Sequence, residues 1–234
     1  MRLQLTSRAL GDVLVVQCAG RLVGGMEAEA LQRHLKQAIA ETPDIVLTLD
    51  KLEFVDSSGL GALVRLAGNA RALSGDVKLC AVPPSILKIL RVTYLHRVFE
   101  IHECEGDAVT ACYQRSSRAG TAAAHSARTV LCVEASADLL AYMQEVVRGA
   151  GLRPVSARNV PDARVLCKAT KPAVVVIGPG VPPSSGKSAY ERLAEIDGTV
   201  PVLSLDEGFS LLDAGEAGAC LLAKIRSVIP IPVA

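Results

Sequence analysis

The chain contains no tryptophan, and its three phenylalanines and four tyrosines bring aromatics to only 3% of 234 residues. With 50% of the residues hydrophobic, the core has to be aliphatic, packed from Leu, Val, Ile and Ala. An excess of either charge is also missing. Lys plus Arg number 25 against 24 Asp plus Glu, a formal charge of +1 with the two signs interspersed. That balance offers none of the strong basic field on which nucleic-acid binding usually depends. Long apolar runs are absent too: stretches such as 173–177 are strand-sized, far short of the roughly 20 residues of a membrane span. The opening MRLQLTSRALGD alternates like a strand and has neither the apolar centre nor the small-residue cleavage site of a signal peptide. The expectation is a cytoplasmic protein with no membrane and no nucleic-acid partner.

No C-x-x-C pair occurs among the seven cysteines at 18, 80, 104, 112, 132, 167 and 220. An odd, scattered set lying mainly in apolar segments reads as reduced, buried thiols acting as small hydrophobes. Cys104 and Cys112, with His102 nearby, fit no structural zinc spacing, and a helix with apolar positions accounts for them. No metal or cofactor is expected.

The length allows one or two domains, each with its own core. The first half reads strand, strand, helix, strand, helix, strand, helix. Leu3 and Leu5 alternate with polar residues, 9–12 form a turn, and 13–16 form a second strand. A helix over about 27–40 carries Leu31, Leu35, Ala38 and Ile39 on one face; 45–49 is a buried strand, and 77–82 another after the turn Ser74-Gly75-Asp76. Pro83-Pro84-Ser85 opens a short helix bearing Ile86, Leu87 and Leu90. Strands alternating with helices imply an α/β fold with a mostly parallel sheet. From 114 to 127 the pattern dissolves into small and polar residues, RSSRAGTAAAHSA, read as a flexible linker. The alternation then restarts: strand 129–133, helix 138–149, strand at Pro154-Val155, helix 161–169 and buried strand 173–177. The expected organisation is therefore 1–113, a linker at 114–127, and 128–234.

The most informative segment is LEFVDSSGLGALVR, residues 52–65. A strand ending at Leu49 is followed by a short acidic loop, and Ser57 and Ser58 then open a helix. Asp56 or Ser57 is placed to cap it, its side-chain oxygen accepting a first-turn amide. Leu60, Leu63, Val64 and Ala67 have the spacing of a helix that buries one face. Ser58 then stands in the first turn with its hydroxyl outward, where the helix dipole tolerates a phosphate. Gly59 and Gly61 leave the surface around that hydroxyl low. Glu53 and Asp56 as an acid/base pair lack a neighbouring His, and solvated loop carboxylates explain them; His34, His96, His102 and His125 read as surface or helix-face residues.

This segment closely resembles the signature of STAS domains, the bacterial anti-sigma factor antagonists, whose loop reads D-S-S-G-L-G before a helix. Ala19-Gly20-Arg21-Leu22 is similar to the family's turn before its first helix, and Leu95-His96-Arg97-Val98-Phe99-Glu100 to the stretch after its third. The resemblance covers roughly residues 1–113, about half the chain. It implies a STAS fold with Ser58 as phosphoacceptor, and Asp56, Ser57, Ser58, Gly59, Leu60 and Gly61 as the partner-binding segment. It further implies an antagonist that binds an anti-sigma factor serine kinase and so regulates transcription, with a serine phosphatase restoring the hydroxyl. The chain is then the switch and not an enzyme. A scaffold subunit of a larger signalling assembly is the alternative, since STAS domains also build such assemblies.

The order of elements in 128–234 resembles a response-regulator receiver, a doubly wound α/β domain. The phosphoaccepting aspartate position falls on Gly178, the acidic pair is reduced to Glu134 and Ala135, and Asp206 stands where receivers keep Ser or Thr. Residues 209–219 look too short for the remaining helix and strand. The resemblance therefore implies a degenerate, non-phosphorylated, truncated receiver-like domain used for homodimerisation or partner docking. A third reading is nucleotide binding, because GPGVPPSSGKS, 178–188, looks like a phosphate loop with Lys187 and Ser188 at its end and Asp206 downstream. Five residues rather than four separate Gly180 from Gly186, and Pro182 and Pro183 remove amide donors from the cradle.

Overall fold

The computed structural model describes residues 2–42, 44–118, 128–182, 191 and 200–229. The chain divides into two compact units, 1–112 and 113–234.

In the first unit β1 (Gln4–Leu10) turns at Gly11, whose φ is 59°, and pairs antiparallel with β2 (Val13–Leu22). Then follow α1 (Met26–Glu41), β3 (Asp44–Val55), α2 (Ser57–Ala72), β4 (Asp76–Cys80), α3 (Pro84–Val92), a 3-10 turn (Leu95–Arg97), β5 (Glu100–His102) and α4 (Glu105–Arg118). The sheet runs β1-β2-β3-β4-β5 and is parallel beyond the first pair. One face packs an aliphatic core: Leu14, Val16, Ile45, Leu47, Val77 and Leu79 of the strands meet Leu31 and Leu35 of α1, Leu63 and Leu66 of α2, and Ile86 and Leu90 of α3. In α4, Ala108, Val109 and Cys112 are buried, and its first turn is tied to β1 by the Arg8–Glu105 ion pair. Lys78 is 2% exposed and neutralised by ion pairs to Glu100 and, at 4.0 Å, to Asp76.

Two expected loops are regular structure. Residues 50–55, read as an acidic loop, continue β3, which pairs with β2 through Leu22↔Val55. That extension passes beyond β4, whose pairing stops at Thr48↔Cys80, so Asp50, Lys51 and Glu53 face solvent while Leu52 and Val55 are buried. Residues 114–118, placed in the linker, are the end of α4; the rest of that linker, 119–127, lies outside the described residues.

The second unit contains β6 (Thr129–Val133), α5 (Ala137–Gly149), β7 (Arg153–Ala157), α6 (Val160–Thr170), β8 (Val174–Ile177), β9 (Val202–Ser204), a 3-10 turn (Glu207–Leu211) and α7 (Ala214–Arg226). All strand pairs are parallel and the order is β7-β6-β8-β9. Val130, Cys132, Val174 and Val176 pack with Leu140, Met143 and Val147 of α5 and Leu221 and Ile225 of α7, while α6 lies against β6 and β7. The segment 209–219, read as too short for a full helix and strand, holds the end of the 3-10 turn and the first turns of α7 with no strand between them; α7 is capped by Asp213, which accepts from Glu216 N. A side chain at Gly218 would stand 2.9 Å from the Tyr142 hydroxyl of α5. No helix of the described residues is long and apolar enough to cross a membrane.

Candidate functional site

Ser58 lies in the first turn of α2, at the end of the first sheet to which β2 and β3 deliver their C-termini. Asp56 is extended (φ −99°, ψ −179°) and caps the helix; its Oδ1 accepts from Gly59 N at 2.7 Å. Its Oδ2 accepts from Gly24 N, in the loop between β2 and α1, at 2.9 Å. These two amides hold the Asp56 carboxyl below its ordinary value, the Gly59 bond contributing most. The residue is also anchored by its own amide, which donates to Leu22 O at 3.2 Å.

Gly59 is buried, and a Cβ there would stand 2.2 Å from Leu22 O. It therefore serves close approach of the helix to β2 rather than a low outer surface, which corrects the expectation for this glycine. Leu60 is 7% exposed and belongs to the core. Ser57 and Ser58 are exposed, and Gly61 is half-buried. Val64, expected on the buried face, is 37% exposed, and Leu66 is buried in the helix interior face. The Ser58 side chain lies against Gly24: a Cβ at 24 would be 2.9 Å from Ser58 Oγ. Gly25 has φ 78° and starts α1 without a side-chain cap. Sequence reasoning missed this Gly24-Gly25 pair, although adjacent glycines before a helix are a readable turn signal.

Exposed apolar side chains stand nearby in the chain: Met26 opens α1, and Phe54 precedes Asp56 by two residues. The Arg21 guanidinium lies 4.9 Å from the Phe54 ring centroid. Glu53 is exposed. His34 contacts Ser7 Oγ at 3.1 Å, His96 contacts Leu90 O at 3.4 Å, and His102 lies 3.3 Å from a Glu100 carboxylate oxygen. These contacts hold the three rings to Ser7, Leu90 and Glu100 rather than to Asp56 or Ser58; His125 is outside the described residues.

Of the cysteines, 18, 80, 112, 132 and 167 are buried, whereas Cys104 is exposed and Cys220 half-buried. Burial pushes the Cys18 and Cys132 thiols up to about 12, as befits inert packing groups. Among the described residues, no cluster of three or more His, Cys, Asp or Glu side chains could hold a metal.

In the second unit the Glu134 carboxylate is fully buried at the C-terminal end of β6. Oε1 accepts from Ser136 N at 2.8 Å and Oε2 from Gly180 N at 2.9 Å. A Cβ at Gly178 would be 2.1 Å from Oε2, and one at Gly180 2.1 Å from Oε1. Ala135 O accepts from the Arg158 guanidinium at 3.1 Å, and Asp206 is exposed ahead of the 3-10 turn. The Gly186-Lys187-Ser188 segment lies outside the described residues. The Gly180 amide that a phosphate loop would use is already donated to Glu134 Oε2.

Residues 4–108 match the STAS domain family. Over 112 residues the chain is 29% identical to an anti-sigma F factor antagonist of Paenibacillus polymyxa, covering 47% of this chain and 95% of that protein. It is also similar to an anti-sigma factor antagonist from Mycobacterium paratuberculosis, 25% identical with a TM-score of 0.42, across 47% of this chain and 93% of the other. A STAS domain protein from Planctomyces limnophilus is 24% identical with a TM-score of 0.41, across 48% of this chain and 98% of the other.

Proposed function

We propose that the chain is an anti-sigma factor antagonist, a cytoplasmic binding module whose STAS domain docks on an anti-sigma factor serine kinase and is switched by phosphorylation of Ser58. The observation that carries this reading is the exposed Ser58 on a helix start fixed by the two amide bonds of Asp56. Asp56, Ser57, Ser58 and Gly61 reach the surface of the contact, while Gly59 and Leu60 act from beneath by seating the helix. The names of its relatives support the antagonist role.

Docking of the unphosphorylated form displaces the sigma factor from its inhibitor. The kinase then transfers phosphate from ATP to Ser58 Oγ, which loses its proton, and a serine phosphatase hydrolyses the ester to restore the hydroxyl. A phosphate adds about −1.5 to −2 charges beside Asp56. The helix start tolerates that charge, so the domain stays folded. A close-packed interface does not tolerate it: repulsion and desolvation of several kcal/mol weaken binding on the order of a thousandfold. Isothermal titration of the kinase with Ser58→Ala and Ser58→Asp tests this. Ser58→Ala should bind irrespective of ATP and Ser58→Asp should bind more weakly; wild-type binding by both would refute the switch.

For the second unit the reading is a receiver-like domain that does not accept phosphate and serves homodimerisation or partner docking. The parallel β7-β6-β8-β9 order supports it, as does the absence of a carboxylate nucleophile at Gly178. This second compact unit also favours the scaffold alternative, since docking of one kinase does not require it. Light scattering separates the two: a monomer or dimer fits the antagonist, very large particles the scaffold.

A further inference from the structure

Ser58, Gly61 and Arg65 follow one another at i, i+3 and i+7 along α2, and therefore share one face of it. Gly61 is the informative member. A glycine inside a helix costs about 1 kcal/mol against alanine, and no backbone crowds this one. The single neighbour within 4 Å of its would-be Cβ is Arg65 Nη1, at 3.3 Å. The Arg65 side chain is thus folded back toward the N-terminus of the helix, as long helical side chains prefer, with its guanidinium over the bare backbone at 61. Side chains at i and i+3 stand about 5–6 Å apart, so that guanidinium lies over the position one turn beyond Ser58 on the same face. Arg65 is exposed and has no ion pair among the described residues.

Resting on the reading of Ser58 as phosphoacceptor, we infer that Arg65 is the intramolecular receiver of the phosphate. A phosphoserine places its phosphorus two bonds beyond Cβ, within reach of a guanidinium lying over Gly61. Arg meets phosphate with two parallel, charge-assisted hydrogen bonds where Lys supplies a point charge. The carboxylate beside Ser58 at the Gly24 loop is Asp56, engaged by the Gly24 and Gly59 amides. Phosphorylation accordingly adds an anion at 58 and consumes the cation at 65. Arg65 also lines the groove between α1 and α2 with Arg33 and Lys36, so the mark changes the charge of that groove as well as of the helix start.

The test is phosphorus NMR on the full chain with phosphoserine installed at 58 during translation, which needs no kinase. In wild type the second ionisation of the phosphate should fall at lower pH than in Arg65→Gln, by about half a pH unit or more, with Arg65→Lys between them. Equal titrations of wild type and Arg65→Gln would overturn the inference. Unmodified Arg65→Gln should melt like wild type, which excludes a folding defect. A kinase that never modifies Ser58 would defeat the switch reading without touching this titration, so the two failures are distinguishable.

Discussion

Asp56 reaches across 32 residues of chain to hold the Gly24 amide at 2.9 Å, while its other oxygen holds Gly59. One carboxylate therefore fixes the helix that carries Ser58 and the loop against which the Ser58 side chain rests. Both bonds are stronger to its ionised form. Because they depress its folded-state pKa, the stability they supply is complete above the unfolded value, near 3.8, and is lost as pH falls through the depressed one. Asp56→Ala should lower the melting temperature at neutral pH and flatten the acid limb of the stability curve below about pH 4. Thermal melts from pH 2 to 7 measure both effects; an unchanged acid limb would refute the role.

Gly59→Ala should destabilise the first unit by about 2–4 kcal/mol. The added methyl meets the Leu22 carbonyl, a backbone atom of β2 that has no rotamer with which to yield. Gly61→Ala, whose nearest neighbour is the end of a long side chain, should instead be neutral or stabilising by up to about 1 kcal/mol. Urea denaturation of the two variants makes the contrast; equal effects would contradict it.

These glycines show where the sequence was legible and where it was not. The capped start at Asp56, the exposed Ser58 and the aliphatic strands follow from local chemistry, and they lie where the motif and periodicity put them. The role of Gly59 does not: it depends on Leu22, 37 residues earlier in the chain, and no local pattern announces that approach. The second half of β3 was hidden because it pairs on one side only, which frees Asp50, Lys51 and Glu53 to be polar and loop-like.

At the end of β6, Glu134 occupies the space that a side chain at 178 would need. Gly178→Asp should not create a phosphoacceptor; it places a second carboxylate against a buried one and should unfold the second unit, seen as loss of protected amides by hydrogen exchange. Glu134→Gln leaves an amide group facing the Gly180 or Ser136 donor and should cost about 1–3 kcal/mol. Gly178→Ala should cost more alone than in a Glu134→Ala background, a coupling read from a double-mutant cycle. Additive effects would show that the two positions do not compete for space.

Ser57→Ala should remain a kinase substrate, since the neighbouring hydroxyl makes none of the contacts that seat α2. Phosphopeptide mapping would detect a shift of the acceptor, and modification at 57 in the wild-type chain would contradict the assignment.

The central claim is that Ser58 is the switch. Intact-mass analysis of the chain purified with and without its serine kinase and ATP tests it most directly. The account predicts one added phosphate, located at Ser58 and absent in Ser58→Ala. No phosphate under any condition, or a phosphate that persists in Ser58→Ala, would contradict it.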